Sequence, residues 1–194
     1  REEMQIELRQ IQRSVGVTFV FVTHDQEEAL ALSDRIAVMS GGRALQIDSA
    51  SRLYEAPNCR EVAAFIGSMN FFPGKVTSVA NGAAHVEAGA AGALSVAVSD
   101  HAPAVGAEVT VAVRPEKMRL NWAAPAGGGN AVMGKVAAEA YFGDRSHYHV
   151  TIDGLSGPIA VAHQKADRRL DDQEAVGRPV WLTWPQDAGV LLTD

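Results

Sequence analysis

Six consecutive residues, Val17-Thr18-Phe19-Val20-Phe21-Val22, constrain this chain more than any other segment. They are β-branched or aromatic and almost wholly apolar, the composition of a strand. A half-exposed strand would carry a polar residue at every second position. This run does not, so it predicts a strand covered on both faces, as in a parallel sheet. The preceding residues supply a helix. Met4, Leu8, Ile11 and Val15 recur at intervals of three and four over residues 1–15, with Glu3, Glu7, Arg9 and Arg13 on the remaining surface. Gly16 is the natural stop. A helix leading directly into a buried strand is half of a βαβ unit. Because Arg1 already lies inside the helical pattern, the chain reads as a segment of a longer protein. Its apolar strand is then expected to have an open edge, and the chain to self-associate unless other strands cover that edge.

Thr23-His24-Asp25 follows at the C-terminal end of this strand, where open α/β sheets bind ligands. Asp25 with Glu28 makes a start of the capping-box type for a helix over Gln26–Ser33. Arg35–Met39 and Ala44–Ile47, joined by Ser40-Gly41-Gly42-Arg43, predict a hairpin. Two short helices, Ala50–Glu55 and Arg60–Ile66, flank Pro57, and Gly67 ends the second. Beyond Gly67 no long helical period remains. Short β-rich segments alternate with Gly, Pro and Asn turns: Gly74–Val79, Ala84–Glu87, Leu94–Val98, Glu108–Val113, Val132–Tyr141, His147–Ile152, Ile159–Ala162, Pro179–Thr183 and Gly189–Leu192. That spacing indicates a small barrel or sandwich. Ala123–Asn130, with Pro125 and three consecutive glycines, reads as a loop between two β modules. Gly74-Lys75-Val76 and Gly134-Lys135-Val136 match, but three residues are too few to establish a repeat.

The balance of charges narrows the function. The net charge is -6 and no basic tract is present, which argues against nucleic acid as a partner. The single cysteine, Cys59, cannot form an internal disulfide, and no metal-type spacing surrounds it. No apolar run approaches the ~20 residues that a membrane-spanning helix needs.

His24 is the leading candidate for chemistry. At the end of a buried strand its imidazole faces the ligand crevice and can donate a hydrogen bond to a phosphate oxygen. His147 and His149 share one strand face, but no third ligand accompanies them and no metal site is expected. His85, His101 and His163 are isolated. Arg114 and Glu116 flank Pro115 at a strand end. They suit either a turn with a local ion pair or a contact or ligand site of the β part. Gly143-Asp144-Arg145 reads as a tight turn with the same two alternatives. Trp181 and Trp184 fall on opposite strand faces, which suits core packing and not a stacking platform for bases.

The run from Val22 to Leu30 (Val-Thr-His-Asp-Gln-Glu-Glu-Ala-Leu), followed by Ser33–Met39 and Gly42-Arg43, closely resembles the switch-histidine region of ABC transporter ATPases. Leu53–Pro57, Val62–Gly67 and Asn70–Phe72 resemble the segment joining the ATPase domain to its C-terminal extension. Val113–Lys117 and Tyr141–Arg145 are similar to motifs of the TOBE domain, an OB-like β module of importer ATPases. The resemblance covers nearly the whole chain and is closest to the spermidine/putrescine type. It implies an α/β piece, the end of a P-loop NTPase sheet, over residues 1–67, and an OB-like regulatory TOBE module over 68–194. It implies that His24 contacts the γ-phosphate, that Asp25 supports it, and that Arg114, Glu116, Asp144 and Arg145 make regulatory-domain contacts. It implies ATP and Mg²⁺ as cofactors of the longer protein. The implied partners are a second ATPase subunit, transmembrane permease subunits and, indirectly, a periplasmic solute-binding protein. The implied location is the cytoplasmic face of the bacterial inner membrane. Where the family commonly carries a Gly-Thr-Pro-like helix entry, this chain has Asp48-Ser49-Ala50, in which Asp48 or Ser49 can cap the helix. No G-x-x-x-x-G-K-[ST] loop occurs in the sequence, so this segment alone is expected neither to bind ATP tightly nor to hydrolyse it. A stand-alone OB-like sensor of a small ligand, such as an anion, is the alternative reading.

Overall fold

The structure is a computed structural model that describes residues 2–98, 102–143, 145–164 and 175–193. Its internal contacts divide the chain into two units, Arg1–Ser68 and Met69–Asp194.

In the first unit, α1 spans Glu2–Val15 and ends at Gly16, whose φ of +71° a glycine adopts without strain. α2 (Gln26–Leu32), the antiparallel hairpin β1 (Ile36–Ser40) and β2 (Arg43–Asp48), and the helices α3 (Ala50–Glu55) and α4 (Arg60–Phe65) follow. Ser49 Oγ accepts from the Arg52 amide and caps α3, and the Asp48 carboxylate pairs with Arg52 at 3.1 Å. Asp48-Ser49 therefore starts the helix by its own means. Ile36, Val38, Leu53, Val62 and Ile66 form the core, with Ala29, Leu30 and Cys59 packed against it.

The strand expected over Val17–Val22 does not form. No residue from 17 to 23 takes part in a β-ladder. The strand's period survives in the exposures: Val17, Phe19 and Phe21 are 42%, 43% and 47% exposed, while Val20 and Val22 are 88% and 99%. One side rests partly against the unit and the other is bare. A strand is stabilised by ladder partners and by packing on its faces, and β-propensity without them does not make one.

The second unit is all-β. β3 (Asn70–Ala80), β4 (Ala83–Glu87), β5 (Ala93–Ala97), β6 (Glu108–Val113) and β7 (Arg119–Asn121) are followed by β8 (Asn130–Tyr141), β9 (Arg145–Thr151), β10 (Ile159–Gln164), β11 (Pro179–Trp184) and β12 (Gly189–Leu192). They form two five-stranded antiparallel sheets, in the orders β12-β6-β3-β4-β5 and β10-β9-β8-β11-β7. The two orders are the same path taken twice, with one exchange. β7 follows β6 in the chain but pairs with β11, and β12 follows β11 but pairs with β6. Each half thus lends its last strand to the other.

The duplication extends to single residues. The ladder slips after Val76 opposite Val86, and again after Val136 opposite Val150. Val76 exchanges backbone bonds with Gly106 and Ala107, as Val136 does with Gly177 and Arg178. Gly74 and Gly134 are glycine for one reason. A Cβ on Gly74 would lie 2.5 Å from the Glu87 carbonyl oxygen, and one on Gly134 would lie 2.7 Å from that of Thr151. The repeat that three matching residues could not establish is therefore real. The fuller signal is Asn-x-x-x-Gly-Lys-Val, at Asn70–Val76 and Asn130–Val136.

The two buried asparagines join the halves. Asn70 accepts from the Ala160 amide (2.8 Å) and donates to the Ala160 carbonyl (2.8 Å). Asn130 does the same to Ser95, at 2.7 and 2.8 Å. One core runs through both sheets, with Phe72, Leu94, Met118, Tyr148, Leu182 and Trp184 among its largest members.

Candidate functional site

The turn that carries His24 is built by its neighbours. Asp25 Oδ1 accepts from the amides of Glu27 (2.9 Å) and Glu28 (3.1 Å), which satisfies two of the orphan donors at the start of α2. The expected return contact of the capping box is replaced. The Asp25 amide donates to Thr23 Oγ1 at 3.0 Å, and the Thr23 hydroxyl donates to the Glu28 carboxylate at 3.0 Å. Thr23, Asp25 and Glu28 so close a ring of bonds around His24, whose side chain is exposed. Beside the turn, a cleft of about 660 Å³ lies between residues 18–23 and α2, with Phe19, Phe21, Gln26, Ala29 and Ile36 in its lining. Arg9 ties α1 to the far end of α2, donating to the Ala31 carbonyl (2.8 Å) and pairing with Asp34 (3.3 Å).

The candidates of the second unit scatter. Arg114 is not on an exposed turn: at 1% exposure it is among the largest fully buried side chains, at the start of the 3-10 turn Pro115–Lys117. A guanidinium held in the core needs polar partners there, whereas Glu116, two residues on, is exposed. Arg145 is exposed and opens β9, where its carbonyl accepts from the Phe142 amide at 2.8 Å to close a turn through Gly143. Asp144 and His101 lie outside the described residues.

The other histidines divide. His147 and His149 share the outer face of β9, and the His147 ring contacts Phe142 at 5.0 Å. His85, expected to be isolated, shares a hydrogen bond of 2.7 Å with Ser95. Trp184 is buried and stacks on Phe72 at 5.4 Å, while Trp181 on the opposite face is half-buried. The split faces read from the sequence are observed. Trp122 carries the Arg178 guanidinium over its ring at 4.2 Å.

Sequence reasoning missed a second cleft, of about 670 Å³, where the loop through Gly127–Gly129 passes the end of β11; Lys117, Arg119, Asn121, Trp184 and Asp187 help to line it. The buried Trp184 Nε1–H has no hydrogen-bond partner among the described residues. Nothing in the spacing of these residues signals the cleft, because it is assembled from β7, β8, β11 and the turn after β11.

A magnesium-nucleotide complex requires oxygen donors for the metal and a cradle for the phosphates. Among the described residues no group of three His, Cys, Asp or Glu could hold a metal ion, and the sequence has no glycine loop with its lysine to cradle phosphates. The described residues do not by themselves fit the whole group. Among the described residues, no helix is long and apolar enough to cross a membrane.

Comparison with known proteins gives these elements a family. The TOBE domain profile matches residues 111–192. The spermidine/putrescine import ATP-binding protein of Rubrobacter xylanophilus is 44% identical over 87% of this chain and 43% of its own length. That of Ruegeria pomeroyi is 39% identical over 100% of this chain and 50% of its own, and that of Thermobifida fusca 38% identical over 98% and 49%. The chain thus spans about half the length of the curated relatives it matches. The molybdate-bound crystal structure of the cytoplasmic molybdate-binding protein ModG superposes with a TM-score of 0.55 at 17% identity, covering 64% of this chain and 96% of that one. At that identity the likeness speaks for the fold, an OB-like all-β module. With relatives at 38–44% identity along nearly its whole length and a TOBE-domain match over residues 111–192, the chain is homologous to a portion of the spermidine/putrescine import ATP-binding proteins.

Proposed function

We propose that this chain is the portion of an importer's ATP-binding subunit that senses the terminal phosphate of ATP and carries the regulatory module. Residues 1–67 would be the end of the P-loop NTPase domain and residues 68–194 the TOBE domain. The whole protein would couple ATP hydrolysis to uptake of a small solute, a polyamine such as putrescine or spermidine. It would act at the cytoplasmic face of the inner membrane as one of a pair, with permease subunits and, indirectly, a periplasmic solute-binding protein as partners. ATP and Mg²⁺ would be held mostly by residues outside this chain. The observation that carries the reading is the His24 turn: an exposed histidine on a turn held by the Thr23–Asp25–Glu28 bonds at the head of a capped helix. His24 would donate one hydrogen bond to the γ-phosphate, Asp25 would fix the backbone beneath it, and Arg114, Glu116, Asp144 and Arg145 would serve contacts of the regulatory module.

The test is the His24→Ala variant of the whole protein. The turn's backbone bonds do not use the imidazole, so the KM for ATP should stay within about threefold while kcat falls by about 100-fold, the loss of a donor used in the transition state. A kcat within twofold of the unaltered protein would reject the assignment. The 194-residue chain alone should show no saturable ATPase activity.

A second reading rests on the cleft beside Trp184 and on the fold shared with a molybdate-binding protein. In it the β unit senses a small anion by itself. Thermal shift of the chain in molybdate, sulfate and spermidine tests it: stabilisation by one anion and not by the others supports the sensor.

A further inference from the structure

Gln26 is the first residue of α2, two positions after His24. Its Oε1 accepts a hydrogen bond of 2.6 Å from the backbone amide of Gly67, across 41 residues of chain and in a partly buried setting. Gly67 has φ +77°, immediately follows Ile66 at the end of α4, and stands one residue before the last residue of the first unit. The bond therefore joins the head of α2 to the point where the chain leaves the unit. The two ends also share one core: Ala29 and Leu30 of α2 pack against the cluster that contains Val62 of α4 and Ile66. A helix head gripped by the Asp25 cap, a core-packed helix body and a side chain closing on Gly67 form one continuous path of contacts.

We infer that Gln26 is a positioning residue that ties the His24 turn to the exit of the unit at Gly67, so that displacement of the turn is transmitted to the segment entering the β unit. The tie itself stands on the geometry above. Its meaning as a signal from phosphate occupancy to the regulatory module rests on the function proposed for His24.

Hydrogen exchange of the whole protein, read at the peptide containing Gly67, tests the tie without nucleotide. Gln26→Met keeps the length of the side chain and removes the acceptor; Gln26→Glu keeps an acceptor oxygen. Gln26→Met should speed exchange of the Gly67 amide by roughly 2- to 10-fold, as loss of a bond of ordinary net strength requires, and Gln26→Glu should not. The coupling is read by loosening the turn. Asp25→Ala should speed Gly67 exchange when Gln26 is present and add little in the Gln26→Met background, a non-additivity that general destabilisation would not produce. Equal exchange in the unaltered protein and Gln26→Met overturns the tie. So does an Asp25→Ala effect of the same size in both backgrounds. Because no nucleotide is used, failure here is distinct from failure of the His24 assignment, which the kinetic test reads.

Discussion

Replacing Asn130 by alanine should unfold the β unit by a predictable margin. The side chain makes two hydrogen bonds, to the amide and the carbonyl of Ser95 at 2.7 and 2.8 Å, and is itself 3% exposed. Alanine removes both and leaves two backbone groups of a partly buried strand without their partner. Each bond is worth roughly 1 kcal/mol net, and the stranded groups add desolvation that is not recovered, so the cost is about 2–3 kcal/mol. In a unit of this size each kcal/mol moves the midpoint by about 4 °C, which predicts a fall of about 8–12 °C. Tryptophan fluorescence is the assay, because Trp122, Trp181 and Trp184 all lie in the second unit and report on it alone. The duplication sets an internal control. Asn70→Ala cuts the equivalent pair of bonds to Ala160, and also a contact of the Asn70 amide with Met118 Sδ at 3.0 Å, so its effect should equal or slightly exceed that of Asn130→Ala. Asn130→Asp should rescue little, since a carboxylate can accept from the Ser95 amide but faces the Ser95 carbonyl with a second acceptor. Midpoint shifts below about 3 °C for both alanine variants would refute the claim that these asparagines join the halves.

Two further outcomes follow from the packing. Gly134→Ala places a methyl 2.6 Å from Val150 Cγ1 and 2.7 Å from the Thr151 carbonyl, so the β8–β9 ladder must shift; urea denaturation should register a loss of about 1–3 kcal/mol, with Gly74→Ala similar. The Tyr148 hydroxyl is pushed up to about 12, first by burial, then by its hydrogen bond to Glu139 and the charge of that carboxylate, with Ser146 opposing. The folded value lies above the unfolded one of about 10, so its contribution is complete below pH 10 and is lost as pH rises toward 12. Absorbance at 295 nm should show a late tyrosinate step that Tyr148→Phe removes, and that variant should lose less stability over the same interval.

What was legible depended on the reach of the cause. The strands of the second unit were legible to within a few residues where alternation and turns are local, as at Glu108–Val113 and Gly189–Leu192. β7 was missed because three residues, Arg119–Asn121, carry no period and form a strand only against β11. The His24 turn was legible because Asp25 caps the helix that follows it, but the Thr23–Glu28 bond was not, since the capping-box pattern predicts a different donor to Glu28, the Asp25 amide.

The sequence by itself determined the elements and the family: hydrophobic period, cap and turn residues act within a few positions, and Val22–Leu30 carries its resemblance in the residues themselves. Tertiary structure alone decided three things. It left Val17–Val22 unpaired, because a ladder needs a second strand. It made Asn70–Val76 and Asn130–Val136 two copies of one half, with β7 and β12 exchanged between them, because partner choice is a contest among distant segments. It also placed Gln26 against Gly67, and Arg114 in the core, because a polar side chain's partner is set by which backbone groups and cavities the finished fold brings to it.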